Sequence, residues 1–152
     1  MPHSVNSVPA PVVLAVDDSK DDLLLVDMAA RKASPWIDFR TLDKGEEAIA
    51  YISGSGKYSD RAAHPLPRLM LLDLKMPCVS GFDVLTALSK ARTPKPPFIC
   101  ILTTSKLPED IAKATALGAD AFHMKPGNFA DFCDLLRRLT EFFCIANMGS
   151  SN

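Results

Sequence analysis

Short unbroken runs of aliphatic residues recur along the chain, and each stops at a carboxylate or a hydroxyl. Val12-Val13-Leu14-Ala15-Val16 ends at Asp17-Asp18, Leu69-Met70-Leu71-Leu72 at Asp73, and Phe98-Ile99-Cys100-Ile101-Leu102 at Thr103. Runs of four to six apolar residues without alternation fit strands buried on both faces, as in a parallel sheet covered by helices. The intervening segments carry helical signals. Ser19 followed by Asp22 opens one helix, whose core face is read as Leu24, Leu25 and Met28. Asp43 with Glu46 opens a second, through about Ile52. Gly81 to Ala91 places Phe82, Leu85 and Leu88 at three-residue spacing, and Pro108 to Leu117 is closed by Gly118. A last helix from about Asn128 to Ile145 sets Phe129, Phe132, Leu136, Leu139 and Phe143 on one face.

With Trp36 to Leu42 and Ala119 to Met124 as further strands, five strands alternate with five helices. That pattern predicts an α/β, doubly wound five-stranded parallel sheet. Ser53 to Pro67 is polar and turn-rich and reads as a long loop, and Thr93 to Pro97 reads as a stiff proline connector. Open parallel sheets bind ligands outside the carboxyl ends of their strands. Asp17, Asp18, Asp73 and Thr103 fall at such ends, and Lys125 lies just past the fifth strand.

Composition narrows the classes of function. Seventeen Lys plus Arg against eighteen Asp plus Glu give a formal net charge of -1, so no basic footprint for nucleic acid is present. No apolar run is long enough to span a membrane, and Met1 to Pro11 carries three prolines and no signal-peptide pattern, so a cytoplasmic protein is expected. Cys78, Cys100, Cys133 and Cys144 lack paired metal-ligand spacing and read as reduced thiols. Cys78 has only Lys75 nearby to activate it, so redox sensing is not expected. No Gly-rich phosphate cradle occurs.

Three carboxylates at one sheet edge repel one another, and a hard divalent cation resolves that conflict; Mg²⁺, which keeps waters and accepts phosphate oxygens, suits the donors. A lysine offers a compact positive charge to a phosphoryl oxygen, and Thr103 a hydroxyl. The combination describes phosphoryl transfer by positioning and charge neutralisation, with an aspartate as nucleophile.

The ordered set Val16-Asp17-Asp18, Leu72-Asp73-Leu74-Lys75-Met76-Pro77, Gly81-Phe82-Asp83-Val84-Leu85, Leu102-Thr103-Thr104-Ser105 and Phe122-His123-Met124-Lys125-Pro126 resembles the receiver domains of two-component response regulators. The resemblance runs from about Pro11 to Leu139 and implies the flavodoxin-like (β/α)5 receiver fold. It implies Asp73 as phosphoacceptor and Mg²⁺ held by Asp18, Asp73 and the backbone carbonyl of Lys75, with Asp17 acting partly through water. It further implies Thr103 as switch hydroxyl, Phe122 as switch aromatic, Lys125 as phosphoryl contact, and a cis Lys125–Pro126 bond. His123, beside the switch aromatic, reads as an ordinary exposed strand residue.

The loop before the third strand is longer than in minimal receivers and resembles that of single-domain, phytochrome-associated regulators. Thr104 stands where many receivers carry alanine, a larger side chain that would either narrow access for the phosphodonor or slow hydrolysis. The expected unit is a receiver over residues 11–146 with tails at 1–10 and 147–152; the thirteen residues after Leu139 leave no room for an output domain. A stand-alone response regulator is expected, not an enzyme beyond its own autophosphorylation and autodephosphorylation. Its expected partners are a histidine kinase, of the bacteriophytochrome kind by the resemblance, and a downstream phosphotransfer or effector protein. The alternative is a Mg²⁺-dependent phosphohydrolase with an aspartyl nucleophile, but such enzymes place an acid where this chain has Lys75. A final helix of about 27 Å would outrun a strand of about 20 Å, so Phe142, Phe143, Cys144 and Ile145 are expected to overhang the sheet and support a homodimer.

Overall fold

The structure is a computed structural model and describes residues 9–145 apart from 92 and 94; most of both expected tails lies outside it. In chain order the elements are β1 (Val12–Val16), α1 (Lys20–Ala33), β2 (Asp38–Leu42), α2 (Gly45–Ser53), β3 (Leu69–Leu72), α3 (Gly81–Lys90), β4 (Phe98–Thr103), α4 (Pro108–Ala116), β5 (Ala121–Met124) and α5 (Phe129–Thr140). The five strands form one parallel sheet in the order β2-β1-β3-β4-β5. This is the flavodoxin-like doubly wound arrangement, in which the strand order reverses between β1 and β3. β1 and β3 are buried along their whole length and β4 nearly so, while edge strands β2 and β5 are only half-buried.

Alternation along the strands builds two cores. Val13, Ala15, Leu69, Leu71, Cys100 and Leu102 face α1 and α5. Leu14, Val16, Met70, Leu72, Ile99 and Ile101 face α2, α3 and α4. Period-two side-chain geometry makes one apolar run serve both layers.

Several local readings are corrected. The core stripe of α1 is Leu23, Val26, Ala29 and Ala30, whereas Leu24 and Met28 are more than half exposed. Both stripes have helical spacing; the Ser19 cap sets the helix phase that turns the first one inward. α2 starts one residue later than the Asp43 pairing implied, with Lys44 at the N-cap and no side-chain cap. Close packing takes over there: a Cβ on Gly45 would lie 2.6 Å from the Val79 carbonyl oxygen. His123 is half-buried, not exposed, and burial, then the charge of Arg138, lowers its pKa.

The 53–67 segment is built, not open. It contains a single 3₁₀ turn (Gly56–Tyr58), and Tyr58 packs 5.0 Å from Tyr51 and 5.0 Å from His64 between ring centroids. Arg61 donates to the carbonyls of Tyr51 (2.7 Å), which also accepts from the Gly54 N–H, and Ile52 (2.6 Å), so it caps the last turn of α2. The final helix is not straight through Ile145. At Glu141 it widens into a π turn over Glu141–Ile145, which lays Phe143 on Phe98 with ring centroids 3.5 Å apart. Phe142 is left 68% exposed. The expected overhanging cluster is therefore divided, one ring turned onto the domain and one to solvent; the side chains of Cys144 and Ile145 lie outside the described set.

Candidate functional site

The carboxyl ends of β1, β3, β4 and β5 converge at the switch point, and backbone hydrogen bonds carry the ladder onto the residues that follow. Asp17 N–H donates to the Leu42 carbonyl (3.1 Å), Asp73 N–H to Val16 (3.0 Å) and Lys125 N–H to Thr103 (2.8 Å). The backbone of Asp17, Asp73 and Lys125 is thus held by the sheet itself. Gly81 lets α3 close on this edge: a Cβ there would stand 2.3 Å from the Asp73 carbonyl oxygen, and its N–H donates to Leu74 at 2.9 Å.

Carboxylate oxygens of Asp17, Asp18 and Asp73 lie within 4.8 Å of one another. Asp17 and Asp73 are buried and Asp18 is exposed, so one wall of the cluster stays open to water. Burial, reinforced by the neighbouring Asp73 charge, holds Asp17 above the ordinary carboxylate range, although hydrogen bonds from Lys125 and the Ser19 N–H work the other way. Crowded hard oxygens with one solvent-facing member fit a divalent cation.

The Lys125 ammonium stands 2.6 Å from Asp17, 2.7 Å from Asp22 and 3.6 Å from Asp73. Burial disfavours its charge, but the bonds to Asp17 and Asp22 and the field of Asp73 outweigh that and raise its pKa. The Lys125–Pro126 bond is trans, as is every described peptide bond, which corrects the cis expectation. X–Pro bonds favour trans by about 0.5–1 kcal/mol unless a turn forces them, and here the Lys125 N–H bond to Thr103 already directs the lysine inward.

Thr103 is fully buried, and its hydroxyl accepts from the Ser105 N–H at 3.3 Å. Phe122 pairs in register with Ile101 and packs, half-buried, on the core layer that includes Ala114 of α4. Lys75 directs its ammonium away from the cluster to Asp110, at 3.1 Å, and Thr104 is exposed. Cys78, on the same loop, is exposed and adopts a positive φ of 64°.

Two acids were missed as site residues. Asp22 reads in sequence only as a helix-opening carboxylate, and Asp110 carries no reading of its own within the Pro108 to Leu117 helix. Asp110 is buried, accepts from the Ser105 hydroxyl and pairs with Lys75, which together lower its pKa. Its spacing from Ser105 gives no signal of that. Asp22 had one: it lies on the turn after Asp18, on the side of α1 that faces the strand ends.

Fold and site together define a doubly wound α/β domain with a cation-competent carboxylate pocket and a buried lysine at its switch point. The chain belongs to the response regulator receiver domain family, whose model matches residues 13–137. It is thereby a response regulator of two-component phosphorelay signalling. It is 29% identical over 140 residues to response regulator Rcp1 of Synechocystis sp., covering 92% of this chain and 93% of Rcp1. The crystal structure of response regulator RPA3017, in red light signalling of R. palustris, aligns with a TM-score of 0.79 at 33% identity, covering 87% of this chain and 92% of that one. The Mn²⁺-bound form of Rcp1 aligns with a TM-score of 0.70 at 28% identity, over 87% and 93% of the two chains. Among the described residues no helix is long and apolar enough to cross a membrane.

Proposed function

We propose that the chain is a stand-alone response regulator that accepts a phosphoryl group on Asp73 from a phosphohistidine of a histidine kinase. The observation that carries this reading is the position of Asp73: buried at the end of β3, grouped with Asp17 and Asp18, and 3.6 Å from the Lys125 ammonium. An Asp73 carboxylate oxygen forms the new bond to phosphorus as the phosphorus–nitrogen bond of the donor breaks, and the imidazole leaves with its electron pair and takes up a proton. Asp18, Asp73, the Lys75 backbone carbonyl and, partly through water, Asp17 would hold Mg²⁺, which would supply positive charge to offset the carboxylates and the incoming phosphoryl group. Lys125 meets a phosphoryl oxygen and Thr103 turns its hydroxyl toward the group. Phe122 follows into the space released.

The receiver unit comprises residues 11–146, with tails at 1–10 and 147–152, in the cytoplasm. Likeness to Rcp1 and to a regulator of red light signalling supports a bacteriophytochrome-type kinase as donor. The signal leaves through protein contacts, to a downstream phosphotransfer or effector protein and between two copies of the chain. Catalysis is limited to intrinsic autophosphorylation and autodephosphorylation.

Incubation with acetyl phosphate and Mg²⁺, followed by intact mass, tests the assignment. A single phosphoryl adduct is expected, absent after chelation and absent in Asp73→Asn. Labelling of Asp73→Asn at the wild-type rate would overturn it.

A further inference from the structure

Two helices of this protein open with the same sequence device and use it differently. At α3, Ser80 accepts from the Asp83 N–H while the Asp83 carboxylate accepts from the Ser80 N–H at 2.9 Å, a complete capping box. At α1, Ser19 accepts from the Asp22 N–H at 3.2 Å, but the Ser19 N–H goes to the Asp17 carboxylate at 3.0 Å. The return half of the box is taken, and the Asp22 carboxylate is free to turn elsewhere. It turns to Lys125, at 2.7 Å, closer than Asp73 at 3.6 Å.

We propose that Asp22 is a positioning residue that holds Lys125 away from Asp73 and competes with the phosphoryl group for its ammonium. The inference rests on Asp73 being the phosphoacceptor. One ammonium has three donors, and in this structure Asp17 and Asp22 take the short contacts. For Lys125 to meet a phosphoryl oxygen on Asp73, at least one of those contacts must lengthen. Asp17 belongs to the carboxylate cluster that a cation would neutralise; Asp22 lies outside that cluster. Asp22 is therefore the contact that persists as a restraint. A state that must first be released binds its ligand more weakly by the fraction released, so Asp22 sets the affinity of the site for a phosphoryl group without touching it. It also leaves Asp73 with the longest of the three lysine contacts before transfer.

The test uses beryllofluoride with Mg²⁺, a stable mimic of the phosphoryl group, titrated by amide spectra of the full chain. Asp22→Asn should bind it about two- to fivefold more tightly than wild type, the range of a partly exposed ion pair, and Asp22→Glu should return toward wild type. Asp21→Asn removes a neighbouring charge that makes no contact with Lys125 and should change affinity less than Asp22→Asn. In a Lys125→Met background the Asp22→Asn effect should vanish, because the restraint acts only through the ammonium. Equal affinity of Asp22→Asn and wild type overturns the inference, as does an equal gain in Asp21→Asn or a gain that survives in Lys125→Met. Wild type that does not bind beryllofluoride, or Asp73→Asn that binds it as wild type does, overturns the phosphoacceptor assignment and this inference with it.

Discussion

Lys125 and Asp17 form the shortest ion pair at the sheet edge, 2.6 Å, and that pair rather than Lys125 with Asp73 balances the resting site. Both side chains are about nine-tenths buried, so neither charge has much recourse to water. Removing the lysine leaves Asp17 and Asp73 facing each other uncompensated. Lys125→Met is expected to lose the phosphoryl contact and slow acetyl phosphate labelling by roughly 10²-fold, the scale of one lost electrostatic donor. Without cation it is also expected to destabilise the fold by about 2 kcal/mol, below the usual cost of orphaning a buried charge because Asp18 keeps the cluster open to solvent. Stopped-flow labelling and urea unfolding of wild type and variant measure both.

The cation-free protein is expected to lose stability as pH rises through the titration of Asp17. Its folded pKa lies above the unfolded value near 3.8, so the folded state binds the proton better, and the contribution is full below that value and gone above the raised one. Asp110 behaves oppositely: with its folded pKa lowered by Ser105 and Lys75, its contribution is present above the unfolded value and lost as pH falls. The wild-type minus Asp17→Asn stability difference should therefore decline as pH rises from about 4 to 7 in chelator. At about pH 7, Mg²⁺ should raise the unfolding midpoint of wild type, and the effect should fade as the carboxylates take up protons. A Mg²⁺ effect independent of pH, or one undiminished in Asp18→Asn, would count against the cluster as the metal site.

Much of this was legible beforehand because burial on both faces leaves a strong trace: β1, β3 and β4 are unbroken apolar runs, and the chemistry sits where those runs stop. Asp17, Asp18, Asp73 and Lys125 lie together because strand ends meet in this topology, and Thr103 stands at the end of the neighbouring β4. What escaped depended on choices between equivalent local options. Leu24 and Met28 have the same helical spacing as Leu23, Val26 and Ala30, and only the phase set by the Ser19 cap separates them. Asp22 and Asp83 share a position in their helices, and a competing carboxylate, Asp17, decides which one closes its box. The Arg61 contacts with α2 join residues whose order in the chain gives no period at all.

Thr103→Ala is expected to accept phosphate and fail to transmit it. The hydroxyl is buried and accepts from the Ser105 N–H, so its loss leaves that donor without its partner and costs about 1 kcal/mol. With no group to move toward the phosphoryl oxygens, Phe122 and α4 keep their resting positions. Amide shifts on β4, β5 and α4 after beryllofluoride addition should shrink strongly, while intact mass after acetyl phosphate shows the adduct. Wild-type shifts in Thr103→Ala would remove Thr103 as the coupling element.

Arg61→Ala is expected to open the 53–67 segment without touching the phosphoacceptor chemistry. The guanidinium bonds the carbonyls of Tyr51, Ile52 and His64 at 2.7, 2.6 and 3.2 Å, so its removal should cost about 1–3 kcal/mol. Limited proteolysis should then cut near Gly54–Ala63 first. Acetyl phosphate labelling at the wild-type rate is expected, because this end of α2 is remote from Asp73. A protease pattern unchanged from wild type would show that the Tyr51–Tyr58–His64 stack holds the segment by itself.

The two adjacent phenylalanines at the π turn separate folding from association. Phe143 stacks on Phe98 at 3.5 Å with planes 21° apart, and this pair closes the end of the α1–α5 core. Phe143→Ala should cost about 1–3 kcal/mol, less than a fully buried ring because Phe143 is only half-buried. Phe142 meets Phe143 edge-on at 4.7 Å and otherwise faces solvent, 68% exposed. Phe142→Glu should leave the unfolding free energy within about 0.5 kcal/mol of wild type. If the chain pairs through this turn, Phe142→Glu lowers the mass seen by light scattering at tens of micromolar while thermal unfolding at dilution stays as it was. A wild type that runs as a monomer with and without beryllofluoride would withdraw the homodimer, and would leave Phe142 as a surface for the downstream partner alone.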